Sequence, residues 1–215
     1  MTELLLKGTV DTLYMTLAST LFAYVLGLPM GILLSITNKG GIMENRMFNS
    51  AFGWIINILR SFPFVILMIA IVPFTRLLVG KIIGPTAAVV PLVIAAAPFV
   101  ARLVESSLAE IDSGVIEAAK CMGATNAQII LRVMLSESVP SLIRGLSITT
   151  ITLIGYSAMA GAVGAGGLGD IAIRYGLHRS ETGIMMVTVV LLIVIVCIIQ
   201  LLFDRTANRV DKRNR

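Results

Sequence analysis

The sequence predicts an all-α fold of the polytopic membrane class: one domain over residues 1–215 with five transmembrane helices. Two observations carry this reading. Of 215 residues, 57% are hydrophobic and 13% charged, and the mean hydropathy is +0.94. Soluble domains carry about twice that charged fraction. The charges also sit between long apolar runs and at the C-terminus. A net charge of +5 placed that way is membrane topology, not a basic stripe for nucleic acid.

A helix needs about 20 apolar residues to cross the bilayer core. Uncharged runs of 27, 20, 25 and 22 residues separate Asp11 from Lys39, Lys81 from Arg102, Arg144 from Asp170, and Glu181 from Asp204. Each is long enough to span. A fifth run of 15 residues, between Arg60 and Arg76, is short. Starting its helix near Ala51–Ile56 restores the length and puts Arg60 in the first two or three turns. From there Arg60 either snorkels to the headgroups or faces a pore. Pro63, in "RSFP", marks a kink. The spans are expected at about 12–38, 54–75, 82–101, 146–169 and 182–203, with a long loop at 102–144. The first run exceeds a signal-peptide h-region and lacks a basic flank, so it reads as retained.

With the N-terminus outside, 12 of the 17 Lys and Arg residues fall inside, including Arg205, Arg209, Lys212, Arg213 and Arg215 of the tail. The positive-inside rule then makes the 102–144 loop and the C-terminus cytoplasmic. The two cysteines, Cys121 and Cys197, share no motif, and His178 has no Cys or His companion, so no metal site is expected.

The 102–144 loop contains an amphipathic passage, "EAAKCMGATNAQIILRVMLSESVP", from Glu117 to Pro140. Asp112 or Ser113 can cap a short helix, and Gly123 can end it in a left-handed turn. At 1.5 Å per residue that helix is a rod of roughly 13 Å, too short to span. Val115, Ile116 and Ala119 gather on one side of it. Thr125 with Gln128 is a capping-box pattern opening a second helix, with Ile129, Ile130, Val133 and Met134 as its apolar stripe and Pro140 closing the passage.

Glu117-Ala118-Ala119 is followed by Gly123, Val133, Leu135 and Pro140. In this pattern the chain resembles the permease subunits of ATP-binding-cassette (ABC) importers, whose signature is the EAA loop. Val133 stands for the usual Ile and Ser136 for the first Pro. The resemblance implies a type I ABC importer permease fold and a coupling role for Glu117, Ala118, Ala119 and Gly123. In the family this helix docks on a separate cytoplasmic ATPase that holds ATP and Mg. The alanines allow close approach, and Glu117 offers a charge.

This chain has no P-loop: the lone Gly80-Lys81 pair lacks its flanking residues. All 12 acids lie outside the uncharged runs, which argues against gradient coupling through buried carboxylates. No catalytic constellation appears, so a transport subunit without its own cofactor is expected, not an enzyme.

"GYSAMAGAVGAGGLGD", Gly155 to Asp170, contains a G-x-G-x-x-G match, but its flanks are membrane helix and loop rather than a βαβ unit. Two compatible readings remain. Ser157/Gly161/Ala165 is a small-xxx-small series for close helix packing. Alternatively the segment lines a translocation path, with Tyr156, Ser157, Met159 and Gly161 as candidates. Together with "RSFPF", "VPFTR" and "AAPFVARLVE", this segment is similar to the methionine-importer permeases over about Gly8 to Asp204. That resemblance implies a homodimer in the bacterial cytoplasmic membrane, two ATPase subunits, and an extracytoplasmic methionine-binding protein or lipoprotein. The alternatives are a gradient-driven carrier or channel for a small solute, or an ABC permease for another small substrate.

Overall fold

In lipid a backbone must satisfy its own N–H and C=O groups, so apolar runs become helices. A computed structural model describes residues 2–211; the tail residues Lys212, Arg213 and Arg215 lie outside them. In chain order the helices are α1 (Thr2–Thr37), α2 (Arg46–Ser61), α3 (Phe64–Ala70), α4 (Val72–Val79), α5 (Pro85–Ala109), α6 (Ser113–Cys121) and α7 (Asn126–Gln128). A π-helical segment, Ile129–Met134, leads into α8 (Leu135–Gly161); α9 (Gly167–Ile171) runs through a second π segment, Ala172–Leu177, and α10 (Thr182–Val210) follows.

Four helical rods are long and apolar enough to cross a membrane, and a fifth span is counted if α2 and α3 are taken together. The helix ends differ in several places from the expected span limits. The first helix begins at Thr2, ahead of the span expected from residue 12: Glu3, Lys7 and Asp11 mark a change of polarity but do not break the backbone hydrogen bonding. The span expected over 54–75 is broken. Phe62 is extended ahead of Pro63, as the residue before proline tends to be, and α2 and α3 meet at 96°. Arg60 therefore sits in the last turn of α2, not its first turns.

The 102–144 loop is mostly helix, because α5 runs on to Ala109 and the rod leading into α8 starts at Asn126. Pro140 does not close that passage; the rod Asn126–Gly161 passes through it. The span expected over 146–169 ends at Gly161. Gly164, Gly166 and Gly167 take positive φ, which turns the chain back into α9.

The tightest seam joins α1 to α5. Gly27 and Gly31 are a G-x-x-x-G pair. A Cβ on Gly27 would lie 2.7 Å from the Ala97 carbonyl oxygen, and one on Gly31 2.5 Å from that of Ala101. The burial pattern is that of a lipid-facing bundle. Thr12, Thr16, Ser19, Ala23, Gly27 and Gly31 of α1 are buried, while Leu17, Leu21, Phe22 and Val25 point outward. On α1 small side chains face neighbouring helices and larger apolar ones point outward, with Met15, Leu34 and Ile36 the large side chains that are buried. Small residues let helices approach closely where lipid gives no hydrophobic gain for packing. The α8 rod is held by Tyr24, whose hydroxyl donates to the Leu142 carbonyl (3.4 Å), and by Ser141 Oγ donating to Ser107 Oγ (3.0 Å).

Candidate functional site

Two regions carry the features expected of a transport subunit: an elbow built on α6, and a cavity between α2, α5 and α8.

The elbow is fixed by local hydrogen bonding. Asp112 Oδ1 accepts from the Gly114 N–H (2.7 Å) and caps the start of α6. At the other end Ala124 N–H donates to Ala119 O (3.1 Å) and Gly123 N–H to Lys120 O (2.9 Å), with Gly123 at φ +77°. These two bonds define a Schellman motif, which suits a glycine because it needs the left-handed region. The chain then starts its next helix without slack. Thr125 Oγ1 accepts from Gln128 N–H (3.4 Å), and Gln128 Oε1 accepts from Thr125 N–H (2.9 Å), completing the capping box.

Glu117, Ala118 and Gly123 are exposed. Ala119 is not: it is 4% exposed and belongs to the core cluster that holds Ile129 and Met134. Of the two alanines expected at a partner surface, Ala119 fastens α6 to its own chain and Ala118 faces out. Val115 also leaves the side it was expected to share with Ile116 and Ala119. It forms an outward stripe with Ala118 and Met122, which is 81% exposed. The spacing of three and four residues places these on one helix face.

The second region is a cavity of about 220 Å³. α2 brings Arg60, the break after α2 brings Phe62, α3 brings Phe64 as its first residue, α5 brings Ala96 and Phe99, and α8 brings Thr152 and Tyr156. Tyr156 stacks on Phe64 with ring centroids 4.7 Å apart and planes 4° from parallel. The Arg60 guanidinium lies 6.0 Å from the Phe99 ring centroid, at the edge of cation–π range. Below this, Arg102 ties α2 to α5, donating to the Gly53 carbonyl (2.9 Å) and to Asn57 Oδ1 (3.0 Å) while pairing with Glu105 (2.7 Å).

The four residues singled out on α8 are not one cluster. Tyr156 lines the cavity. Ser157 is buried and donates to the Ile154 carbonyl (2.7 Å), and Gly161 is pressed against the backbone of Gly169 and Asp170. Met159 is 50% exposed and lies outside the cavity lining. Packing accounts for Ser157 and Gly161, and lining for Tyr156. The cavity residues that sequence reasoning missed include Phe64, Phe99 and Thr152. "RSFPF" was the available signal, since an arginine beside a proline break in an apolar run is costly without a use.

Residues 8–215 match the family described as "Binding-protein-dependent transport system inner membrane component". The chain is 54% identical, over 98% of its own length and 94% of the relative's, to the probable D-methionine transport system permease protein MetI of Vibrio cholerae serotype O1. It is 49% identical, over 96% and 93%, to the methionine import system permease protein MetP of Bacillus subtilis. Among solved structures, a chain of the inward-facing MetNI methionine ABC transporter superposes with a TM-score of 0.96 at 48% identity, covering 97% of both chains. An amino acid ABC transporter structure with histidines matches at a TM-score of 0.78 and 20% identity, which speaks to the fold alone. The chain belongs to the binding-protein-dependent transport system inner membrane component family and has the fold of its type I ABC importer permeases.

Proposed function

We propose that this chain is the membrane-spanning permease subunit of an ATP-driven importer that moves methionine, as the D or L form or a close analogue, across the bacterial cytoplasmic membrane by alternating access. It works as a homodimer with two ABC ATPase subunits, which bind ATP and Mg, on the α6 side. An extracytoplasmic binding protein or lipoprotein delivers cargo on the other side. The N-terminus is outside and the C-terminus cytoplasmic, in keeping with the distribution of Lys and Arg. The relatives named above supply methionine as the substrate.

The observation that carries the coupling part is the α6 elbow. Both ends of the helix are pinned, Ala119 anchors it to the bundle, and Val115, Ala118 and Met122 present an apolar stripe beside Glu117. A short helix held that firmly moves as a unit with the rod Asn126–Gly161. When the ATPases close on ATP, the displacement of α6 reaches α8 directly, and α8 lines the cavity through Thr152 and Tyr156. Tyr156 is placed on the path by this reading; Ser157 and Gly161 support its helix.

Charge reversal at Glu117, or bulk at Ala118, tests this reading. Reconstituted with its ATPase and binding protein, Ala118→Trp is expected to hydrolyse ATP without importing methionine. Normal assembly and normal uptake by such variants would remove α6 from the coupling role. Methionine flux through the purified chain alone would point to a carrier or channel instead.

A further inference from the structure

One wall of the cavity between α2, α5 and α8 is a charge. Arg60 lies fourteen residues into α2, about 21 Å from its start at the helical rise. Its neighbour Phe99 is near the middle of α5, and Thr152 and Tyr156 are well inside α8. Arg60 is exposed in the isolated chain, beside the cavity, and a cation within a membrane span is retained where it has a partner or a task. Among the described residues no carboxylate pairs with Arg60, and the cavity lining contains none. A place in the last turn of α2 complements the helix dipole. That accounts for a positive charge, but not for an open space lined by rings in front of it.

Resting on the importer reading above, we propose that the cavity is a transit site in each protomer for a small carboxylate with an unbranched apolar side chain. Arg60 takes the carboxylate, and the rings of Phe62, Phe64, Phe99 and Tyr156 take the side chain. A guanidinium presents a planar fork of donors that matches a carboxylate bidentately. A thioether is polarizable and sits well against ring edges. At about 220 Å³ the space is below the roughly 300–1,000 Å³ of sites for drug-sized ligands, which suits an amino acid.

The cavity treats the two ends of an amino acid unequally. It holds a fixed cation for the carboxylate and no fixed anion for the ammonium. Thr152 Oγ1, which donates to Ile148 O (2.8 Å), keeps lone pairs that can accept from an ammonium, but it carries no charge. Removing the carboxylate charge therefore weakens binding here more than removing the ammonium charge does.

The experiment uses the permease–ATPase complex in nanodiscs without its binding protein, so that the binding protein's own selectivity does not enter. Saturation-transfer NMR reads contact with the S-methyl protons of methionine, methionine amide and N-acetylmethionine. Transfer is expected to methionine and N-acetylmethionine. It should be about tenfold weaker for the amide, the scale of losing a charge-assisted pair. Arg60→Gln is expected to abolish the preference for the acid, and Arg60→Lys to restore part of it. In uptake assays with binding protein present, Arg60→Gln should import at least about tenfold more slowly than wild type, and Arg60→Lys between the two.

Equal transfer to acid and amide in the wild-type complex would overturn the proposal, and that arm needs no variant to fold. So would an Arg60→Gln complex that imports methionine at the wild-type rate. A wild-type complex that imports no methionine even with its binding protein would instead overturn the importer reading on which the site rests.

Discussion

Helix α5 has two faces rich in small residues, and they end up doing opposite things. On one, Ala97 and Ala101 meet Gly27 and Gly31 of α1, and the backbones close to the point where a methyl group has no room. On the other, Ala95 and Ala96 face α2 and α8, and a cavity of about 220 Å³ stays open. The alanines are alike; the partners differ. α1 runs unbroken past α5, so its glycines slide into contact. α2 stops at Ser61 and the chain turns by 96°, so nothing of comparable length fills the second face. Small residues close a seam when the neighbour is small and continuous, and leave a cavity when the neighbour breaks.

The largest expected effect tests the closed face. Gly31→Leu forces a branched side chain into the Ala101 backbone and Val104. Overpacking of this kind costs about 1–3 kcal/mol or more, and the seam has no slack to relax. Folded chain recovered in detergent, read by thermal denaturation, should fall sharply. Recovery with an unchanged melting temperature would show that the seam is looser than its geometry. Next comes the α6 elbow, proposed above to drive the open face. Gly123→Val places a β-branched residue at φ +77°, which breaks the Schellman turn. Uptake should fall by about tenfold or more while the complex still forms, a loss of coupling rather than of binding.

The open face itself comes third. Ala96→Phe fills the cavity from α5. Methionine uptake should fall several-fold, roughly a 1 kcal/mol effect on the transport step, with the melting temperature held or raised as space is filled. Uptake equal to wild type would mean that cargo passes elsewhere. Met159 then sharpens the comparison, because it is exposed outside the cavity. Met159→Trp should reduce uptake less than Ala96→Phe does; the reverse order would move the path to the Met159 side of α8.

The smallest effect lies away from both faces. In the turn between α1 and α2, Glu44 accepts from the Gly40 N–H (2.9 Å) and pairs with Arg46 (2.8 Å). The backbone bond first, then Arg46, holds its carboxyl below the usual range. A depressed folded value means that its contribution is present above the ordinary carboxylate range and disappears as pH falls through the depressed one. The group is fully exposed, so Glu44→Gln should change acid sensitivity only slightly, as followed by melting temperature against pH.

Local features were legible in the sequence. Asp112, Gly123 and the Thr125–Gln128 box act within a few residues of one another, and each does in the structure what its spacing implied. The four continuous spans were legible because lipid imposes one solution on a long apolar run. Three things were not. Hydropathy counts residues and not axes, so it joined 54–75 across the Pro63 bend and carried 146–169 through the turn at Gly164–Gly167. Charge marks polarity and not helix ends, which hid the early start of α1 at Thr2. The division of labour between Ala118 and Ala119 is set by the core around Ile129 and Met134, which the sequence cannot place beside α6 without the fold. The cavity is harder still, since its walls come from residues between 59 and 156 that only tertiary packing brings together.

The central claim is that α6 receives the motion of a separate ATPase and hands it to the rod that walls the cavity. Cys121, exposed on α6, allows that to be tested by contact, with Cys197→Ser removing the other thiol. A photoactivatable maleimide placed on Cys121 in membranes that hold the whole transporter should give, on illumination, a covalent adduct with the ATPase subunit whose yield changes when ATP is added. Adducts confined to lipid or to this chain, with the ATPase present and bound, would contradict the claim.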